Sequence, residues 1–313
     1  MITVVGSFNM DLFIEVPRFP APGEAIHGRN FRRAPGGKGA NQAYAVARLG
    51  HPAAIIGAVG ADAFGEEMVA NLAALGVDLE GVVQRADIAS GTAMIVLDAT
   101  GQNQIVVANG ANDTLTAGDI RRMAALFQKS RAIITQLETT AQAAEATLRL
   151  ARAAGALTVL NPAPFAPVPD EWLSWCDWII PNEGEASKLS GIEVTGRATA
   201  AAAARNLQTR SGRARVAVTL GADGVWLDTP EFAGHIPGVR VQAVDTVGAG
   251  DTFIGAFVTR LVEGAEAREA ARFACAAAAI AVTRRGAQAS IPTRAEVETQ
   301  MSSSGAENGG GKG

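Results

Sequence analysis

Asp245-Thr246-Val247-Gly248-Ala249-Gly250-Asp251-Thr252-Phe253 sets two glycines and two carboxylates just before an apolar run whose spacing predicts a helix from about Thr252 to Val262. A helix start carries free N–H groups and the positive end of the helix dipole, so it draws anions. Gly248 and Gly250 would let the backbone approach such an anion with no Cβ in the way. Asp251 is then out of place, because a carboxylate competes for the same positive end. The two features fit together if the anion is a phosphoryl group in transit and Asp251 takes the proton of the hydroxyl that attacks it. The plainer alternative is that Asp251 caps the helix and the glycines make a tight turn. The stretch is neither a P-loop, since no Lys-Ser/Thr follows, nor a G-x-G-x-x-G dinucleotide fingerprint.

A second glycine-rich stretch, Gly36-Gly37-Lys38-Gly39-Ala40-Asn41-Gln42, also leads into a helical pattern, with Ala43, Val46, Ala47 and Leu49 on one face. The glycine pair suits close approach of backbone to a ligand. Asn41 offers both a donor and an acceptor to a polyol. A glycine turn with a solvated Lys38 is the alternative. Upstream, Asn9 and Asp11 follow the apolar run Ile2–Val5. Polar groups at the end of a buried strand lie where open α/β sheets bind ligands.

The rest of the chain alternates short apolar runs with Ala- and Leu-rich helical runs. Predicted strands are Ile2–Val5, Ala54–Ala58, Ala132–Gln136, Leu157–Leu160, Trp178–Pro181 and Arg215–Leu220. Helices are expected over Gly65–Leu75, Ala117–Phe127, Ala141–Ala154 and Thr199–Thr209. The pattern predicts an α/β fold with a mainly parallel central sheet and helices on both faces. Four runs interrupt it: Leu12–Pro17 and Ala25–Arg33 around Pro20-Ala21-Pro22-Gly23, and Thr92–Leu97 and Gln104–Ala108 around Asp98-Ala99-Thr100-Gly101. They predict a separate small sheet, inserted at about 12–33 and 92–108. One domain is expected over 1–301, and the low-complexity segment 302–313 reads as a disordered tail.

Composition narrows the partners. The net charge of -4, with no basic run, argues against nucleic acid. The apolar stretch Phe273–Val282 is half a membrane span, so no membrane partner is expected. Cys176 and Cys275 are the only cysteines and lack metal spacing, which suits a reduced cytoplasmic setting. His27, His51 and His235 are scattered, with no zinc pattern.

Eight blocks in order make the chain resemble the ribokinase family, sugar kinases of the PfkB type. They are Gly6–Asp11, Gly36–Gln42, Gln136–Glu138, Asn161–Pro164, Pro181–Glu185, Thr219–Gly224, Asp245–Phe253 and Thr283–Gln288. The resemblance implies an ATP-dependent enzyme that phosphorylates D-ribose at O5. A kinase of deoxyribose, fructose, a ketodeoxy sugar acid or a nucleoside is the alternative, and a non-catalytic sugar-binding protein on the same fold is a third. It implies Asp251 as base with an anion hole from Gly248, Ala249 and Gly250, and a sugar pocket of Asn9, Asp11, Gly37, Lys38, Asn41, Glu138 and Asp251. Taken alone, Glu138 also fits the start of a helix before Thr139-Thr140.

The resemblance further implies nucleotide contacts at Asn182, Glu185, Thr219, Gly221, Gly224, Gly250 and Cys275. Relatives often carry a larger polar residue at the last position, where a buried packing cysteine is the plain reading. Asn182 and Glu185 equally form a capping box. Mg²⁺ would be organised near Glu185 through water. A K⁺ loop would use Asp245, Val247, Ala281, Arg284, Gly286 and Ser290, although Asp245 could instead brace the turn. The small sheet would act as a lid over the sugar and as the surface of a homodimer.

Overall fold

Ile2-Thr3-Val4-Val5 is apolar or β-branched at every position, and all four residues are buried, as a strand covered on both faces requires. This strand, β1 (Ile2–Val5), forms the centre of the fold. The computed structural model describes residues 1–309, with side chains through Ser303. The other strands are β2 (Asn9–Glu15), β3 (Arg29–Gly36), β4 (Ala53–Gly60), β5 (Asp78–Arg85), β6 (Gly91–Leu97) and β7 (Asn103–Ala108). They continue as β8 (Ala132–Thr135), β9 (Leu157–Leu160), β10 (Trp178–Ile179), β11 (Arg215–Thr219), β12 (Gly224–Asp228) and β13 (Ala233–Pro237).

Nine strands make one sheet in the order β13-β12-β11-β10-β9-β8-β1-β4-β5. Pairing is parallel from β5 to β11, and β12 and β13 add an antiparallel edge. The winding reverses at β1, whose neighbours are β4 on one side and β8 on the other. Ligands of open α/β sheets gather at the carboxyl ends of strands beside such a switch point. The chain thus has the expected mainly parallel sheet with helices packed on it.

The second sheet has the order β3-β2-β6-β7, with β2 and β6 parallel and both flanking pairs antiparallel. Both predicted hairpins are present. The first arm is shorter than the sequence suggests, because residues 25–28 lie outside β3 and the β2–β3 register shifts between Phe13 and Glu15.

Three other boundaries depart from expectation. The helix predicted over Ala117–Phe127 is two, Ala117–Arg122 and Ala124–Lys129, broken at Met123. β5, β12 and β13 carry mixed polar and apolar residues and gave no clear period. The segment expected to be a disordered tail is helical as far as it is described, since the last helix runs Arg294–Gly309. Thr293 and Glu296 bond reciprocally at its start, and the hydroxyls of Ser302 and Ser303 donate to the carbonyls of Glu298 and Thr299. The remaining residues of that segment, 310–313, lie outside the described residues.

Candidate active site

The helix that follows the opening stretch begins at Ala249, with Gly248 as its N-cap at φ 76°. Asp251 is therefore the third residue of the helix, and its side chain makes no cap. It reaches sideways instead. Asn41 Nδ2 donates to one carboxylate oxygen at 2.9 Å and Gln42 Nε2 to the other at 2.9 Å. Both amides lie on the helix Lys38–Arg48, the product of the second glycine stretch. The two helices meet closely because Gly255, one turn beyond Asp251, has no side chain. A Cβ there would lie 2.6 Å from the Cβ of Ala45. The capping alternative for Asp251 is thereby excluded.

Burial raises the pKa of Asp251, against the pull of the Lys38 charge and the two amide donors. Lys38 is the cation facing Asp251, Glu138, Glu185 and Asp11; despite desolvation, these carboxylates hold its pKa above the usual lysine range. Asp11, on β2 of the small sheet, is pushed up to about 7 by burial first, then by Glu138 and Asp251. The predicted sugar-pocket residues thus lie close together, from the small sheet, the two helices and the loop after β8. Asn9 is buried and accepts from Asn112 Nδ2 at 2.9 Å. Gly37 has φ 88°, and a Cβ there would lie 2.6 Å from the Asn9 amide nitrogen.

Glu138 serves neither as cap nor as first-turn acid of its own downstream helix. Thr140 caps that helix through Ala143 N at 3.1 Å. Glu138 instead accepts from Ser7 Oγ and, at 3.1 Å, from the Lys38 amide. It ties the end of β1 to the start of the Lys38–Arg48 helix.

A polar cavity of about 220 Å³ lies beside these groups, lined in part by Lys38, Asn182, Glu185, Thr219, Gly248 and Asp251. Asn182, past the end of β10, forms a parallel bridge with Thr219, the last residue of β11, at the carboxyl ends of both strands. Asn182 and Glu185 make the reciprocal capping box that their spacing suggests. Gly221 at φ 53° and Gly224 at φ 100° flank a single turn, and a Cβ on Gly224 would meet the Ile236 carbonyl at 2.2 Å. Gly224 thus has a packing reason independent of any nucleotide. Cys275 is buried in the main core, and its thiol is pushed up to about 12. It is a packing cysteine.

In the stretch expected to form an anion hole, the Ala249 amide bonds to Thr246 O at 3.3 Å, while Gly250 is exposed on the cavity wall. Asp245 braces two loops: Val247 N donates to one oxygen at 3.1 Å and Gly286 N to the other at 2.9 Å. Ala281 O accepts from Arg284 N at 3.0 Å, Arg284 pairs with Glu296, and Ser290 Oγ donates to Ala287 O at 2.7 Å. Among the described residues, no cluster of three or more His, Cys, Asp or Glu could hold a metal ion. No helix among them is long and apolar enough to cross a membrane.

Residues 1–294 match the pfkB family of carbohydrate kinases along their whole length. The chain belongs to that family. A ribokinase of Haemophilus influenzae is 44% identical over 295 residues, covering 94% of this chain and 96% of the relative. A deoxyribokinase of Salmonella typhi is 35% identical over 293 residues, covering 93% and 95%. The structure of Arabidopsis thaliana ribokinase complexed with ribose and ATP superposes with a TM-score of 0.89 at 31% identity, covering 96% of this chain and 98% of that one.

Several participants escaped the sequence reading as site residues. Gln42, Ser7 and Asn112 carry contacts to the predicted residues, and Gln136, Asn161 and Gln288 stand behind them. All six are buried polar side chains. Ser7, Gln42, Gln136, Asn161 and Gln288 lie within the eight blocks, but a polar side chain's place in a motif does not reveal what it touches.

Proposed function

We propose that this carbohydrate kinase transfers the γ-phosphoryl group of ATP to O5 of D-ribose, with Asp251 as general base. The observation that supports it best is the Asp251 carboxylate at the start of a helix, turned from capping and held by two amides beside a polar cavity. The sugar hydroxyl attacks phosphorus, its proton passes to Asp251, and ADP leaves. Gly248 and Gly250 would offer amides to the phosphoryl oxygens, and Ala249 would join them once its turn to Thr246 opens. Asn9, Asp11, Gly37, Lys38, Asn41 and Glu138 would bind the sugar. Asn182, Thr219, Gly221 and Gly224 would bind the nucleotide.

The charge balance favours a neutral substrate. Lys38 faces four carboxylates, so an anionic sugar acid would be repelled. Deoxyribose is the serious second reading, because a deoxyribokinase is among the relatives.

Glu185 suits Mg²⁺ held through water: its oxygens keep spare lone pairs beyond the capping box, and it lines the cavity with Lys38 and Asp251. The ion would neutralise phosphate charge. K⁺ would bind backbone carbonyls of the two loops that Asp245 already joins. The small sheet would be both sugar lid and homodimer surface, since Phe31, Met94, Ile105, Val106 and Val107 are exposed on it. The two unpaired buried cysteines suit the cytoplasm.

Asp251→Asn tests the assignment. Turnover should fall by about 10²–10⁴-fold or more while ribose and ATP binding stay measurable by calorimetry. Activity above about a tenth of the parent would remove Asp251 from this role.

A further inference from the structure

The hydrogen bonds around Asp251 have a polarity that extends well beyond the pocket. An ionised carboxylate only accepts, so Asn41 and Gln42 must both turn their NH₂ groups toward it. Their carbonyl oxygens then face away and need donors. Gln136 Nε2 supplies one to Gln42 at 2.5 Å, and Gln288 Nε2 supplies one to Asn41 at 3.1 Å. Gln288 Oε1 in turn accepts from Asn71 Nδ2 at 2.5 Å. A second bond from Gln42 Nε2 reaches Asn161 Oδ1 at 3.2 Å, and Asn161 Nδ2 donates to the Ile180 carbonyl at 2.9 Å.

Two amide arms therefore meet on one carboxylate. The outer arm ends on the helix Ala63–Ala73 and passes through the turn Gln288–Ser290, which lies beside Gly286 and its bond to Asp245. The inner arm ends at Gln136 Oε1, which is buried and has no partner among the described residues. An unpaired buried acceptor costs stability, and apolar residues would pack a helix junction without that cost. The arrangement is better explained by what it does to Asp251 than by packing.

We propose that Gln42, together with Gln288 and Asn71 acting through Asn41, is a positioning frame that fixes the Asp251 carboxylate toward the sugar hydroxyl. This rests on the reading of Asp251 as base. Each arm withdraws one lone pair per oxygen and leaves the others for the substrate. The frame also favours the ionised form against burial and against Glu138, Asp11 and Glu185, the carboxylates that face Asp251 along with Lys38.

The test is Gln42→Met and Asn71→Ala in the full chain, with kcat, KM for D-ribose and the pH profile of kcat measured. Removing a donor disfavours the carboxylate anion, so the acid limb should move to higher pH. For Gln42→Met we expect kcat to fall about 10–100-fold, KM to change less than about threefold, and the acid limb to rise by about one pH unit. Asn71→Ala, at a half-buried position away from the sugar, should lower kcat about two- to fivefold with a smaller rise of the limb. A folded Gln42→Met with an unmoved acid limb, or with kcat within about twofold of the parent, overturns the frame. Should Gln42→Met not fold, an unmoved limb in Asn71→Ala overturns it. Asp251→Asn separates the two readings. If that variant stays active, the base assignment fails; if it is inactive while the limb does not move in the amide variants, only the frame fails.

Discussion

β1 and β7 have similar apolar content and opposite surroundings. All four residues of β1 are buried, whereas β7 exposes all six of its residues, including Val106 at 69%. The nine-stranded sheet completes its own core, with helices on both faces. The four-stranded sheet has only a small cluster of Phe13, Ala93 and Ile95. Met94 pairs with Val106, so both lie on one face, while Ile105 and Val107 lie on the other. A sheet apolar on both faces leaves surface to cover, and in the proposed reading the site would cover one face and a second lid the other. In that reading the body would supply stability and the small sheet association and closure.

The largest expected effect breaks that contrast at the lid. Val106→Asp with Met94→Asp should shift a dimer to monomer by more than about 100-fold in dissociation constant, with little change in the melting of the body. Analytical ultracentrifugation reads it. An unchanged oligomeric state, or a parent that is already monomeric, would show that the lid meets no second copy.

The next effect lies in the body. Replacing K⁺ by Na⁺ should lower kcat by about tenfold, because a filled carbonyl loop would set the Gly248–Gly250 amides beforehand. Equal rates in both salts would leave Asp245 as a brace only.

The smallest effect sharpens the junction, because Asp11 belongs to the lid yet faces the body. Its folded pKa is about 7, against 3.8 as the ordinary value, through burial first and then Glu138 and Asp251. The folded state therefore holds this proton more tightly than the unfolded one, and the ionised group costs stability increasingly as pH rises from about 4 to 7. Asp11→Asn should raise the Tm of the ligand-free protein by about 3–6 °C at pH 8, with the gain fading toward pH 4. It should also weaken ribose binding. A Tm gain that does not depend on pH would show that the gain does not come from relieving a buried charge.

The fold was legible because its informative parts are local. Ile2–Val5 and Leu157–Leu160 coincide with β1 and β9, and Ala141–Ala154 with its helix. The strands that escaped, β5, β12 and β13, take their pairing from neighbours rather than from period, and Gly81 interrupts β5. The tail escaped because its small residues suggest no core, while a bonded helix start and back-bonding serines continue the helix. In the candidate site, the motifs pointed to the carboxylates and glycines that lie around the polar cavity. They could not find Gln42 or Gln288, because the partners are 209 and 247 residues away along the chain.

The most direct measurement is a sugar panel. The protein is given ATP, Mg²⁺ and K⁺ with D-ribose, deoxyribose, fructose or adenosine; kcat/KM is measured for each, and the product is located by ³¹P NMR. D-ribose should be the best substrate, phosphorylated at O5. A site that pairs with a hydroxyl should reject deoxyribose by at least about tenfold. A higher kcat/KM for deoxyribose, fructose or adenosine, or phosphate at O1 of ribose, would contradict it.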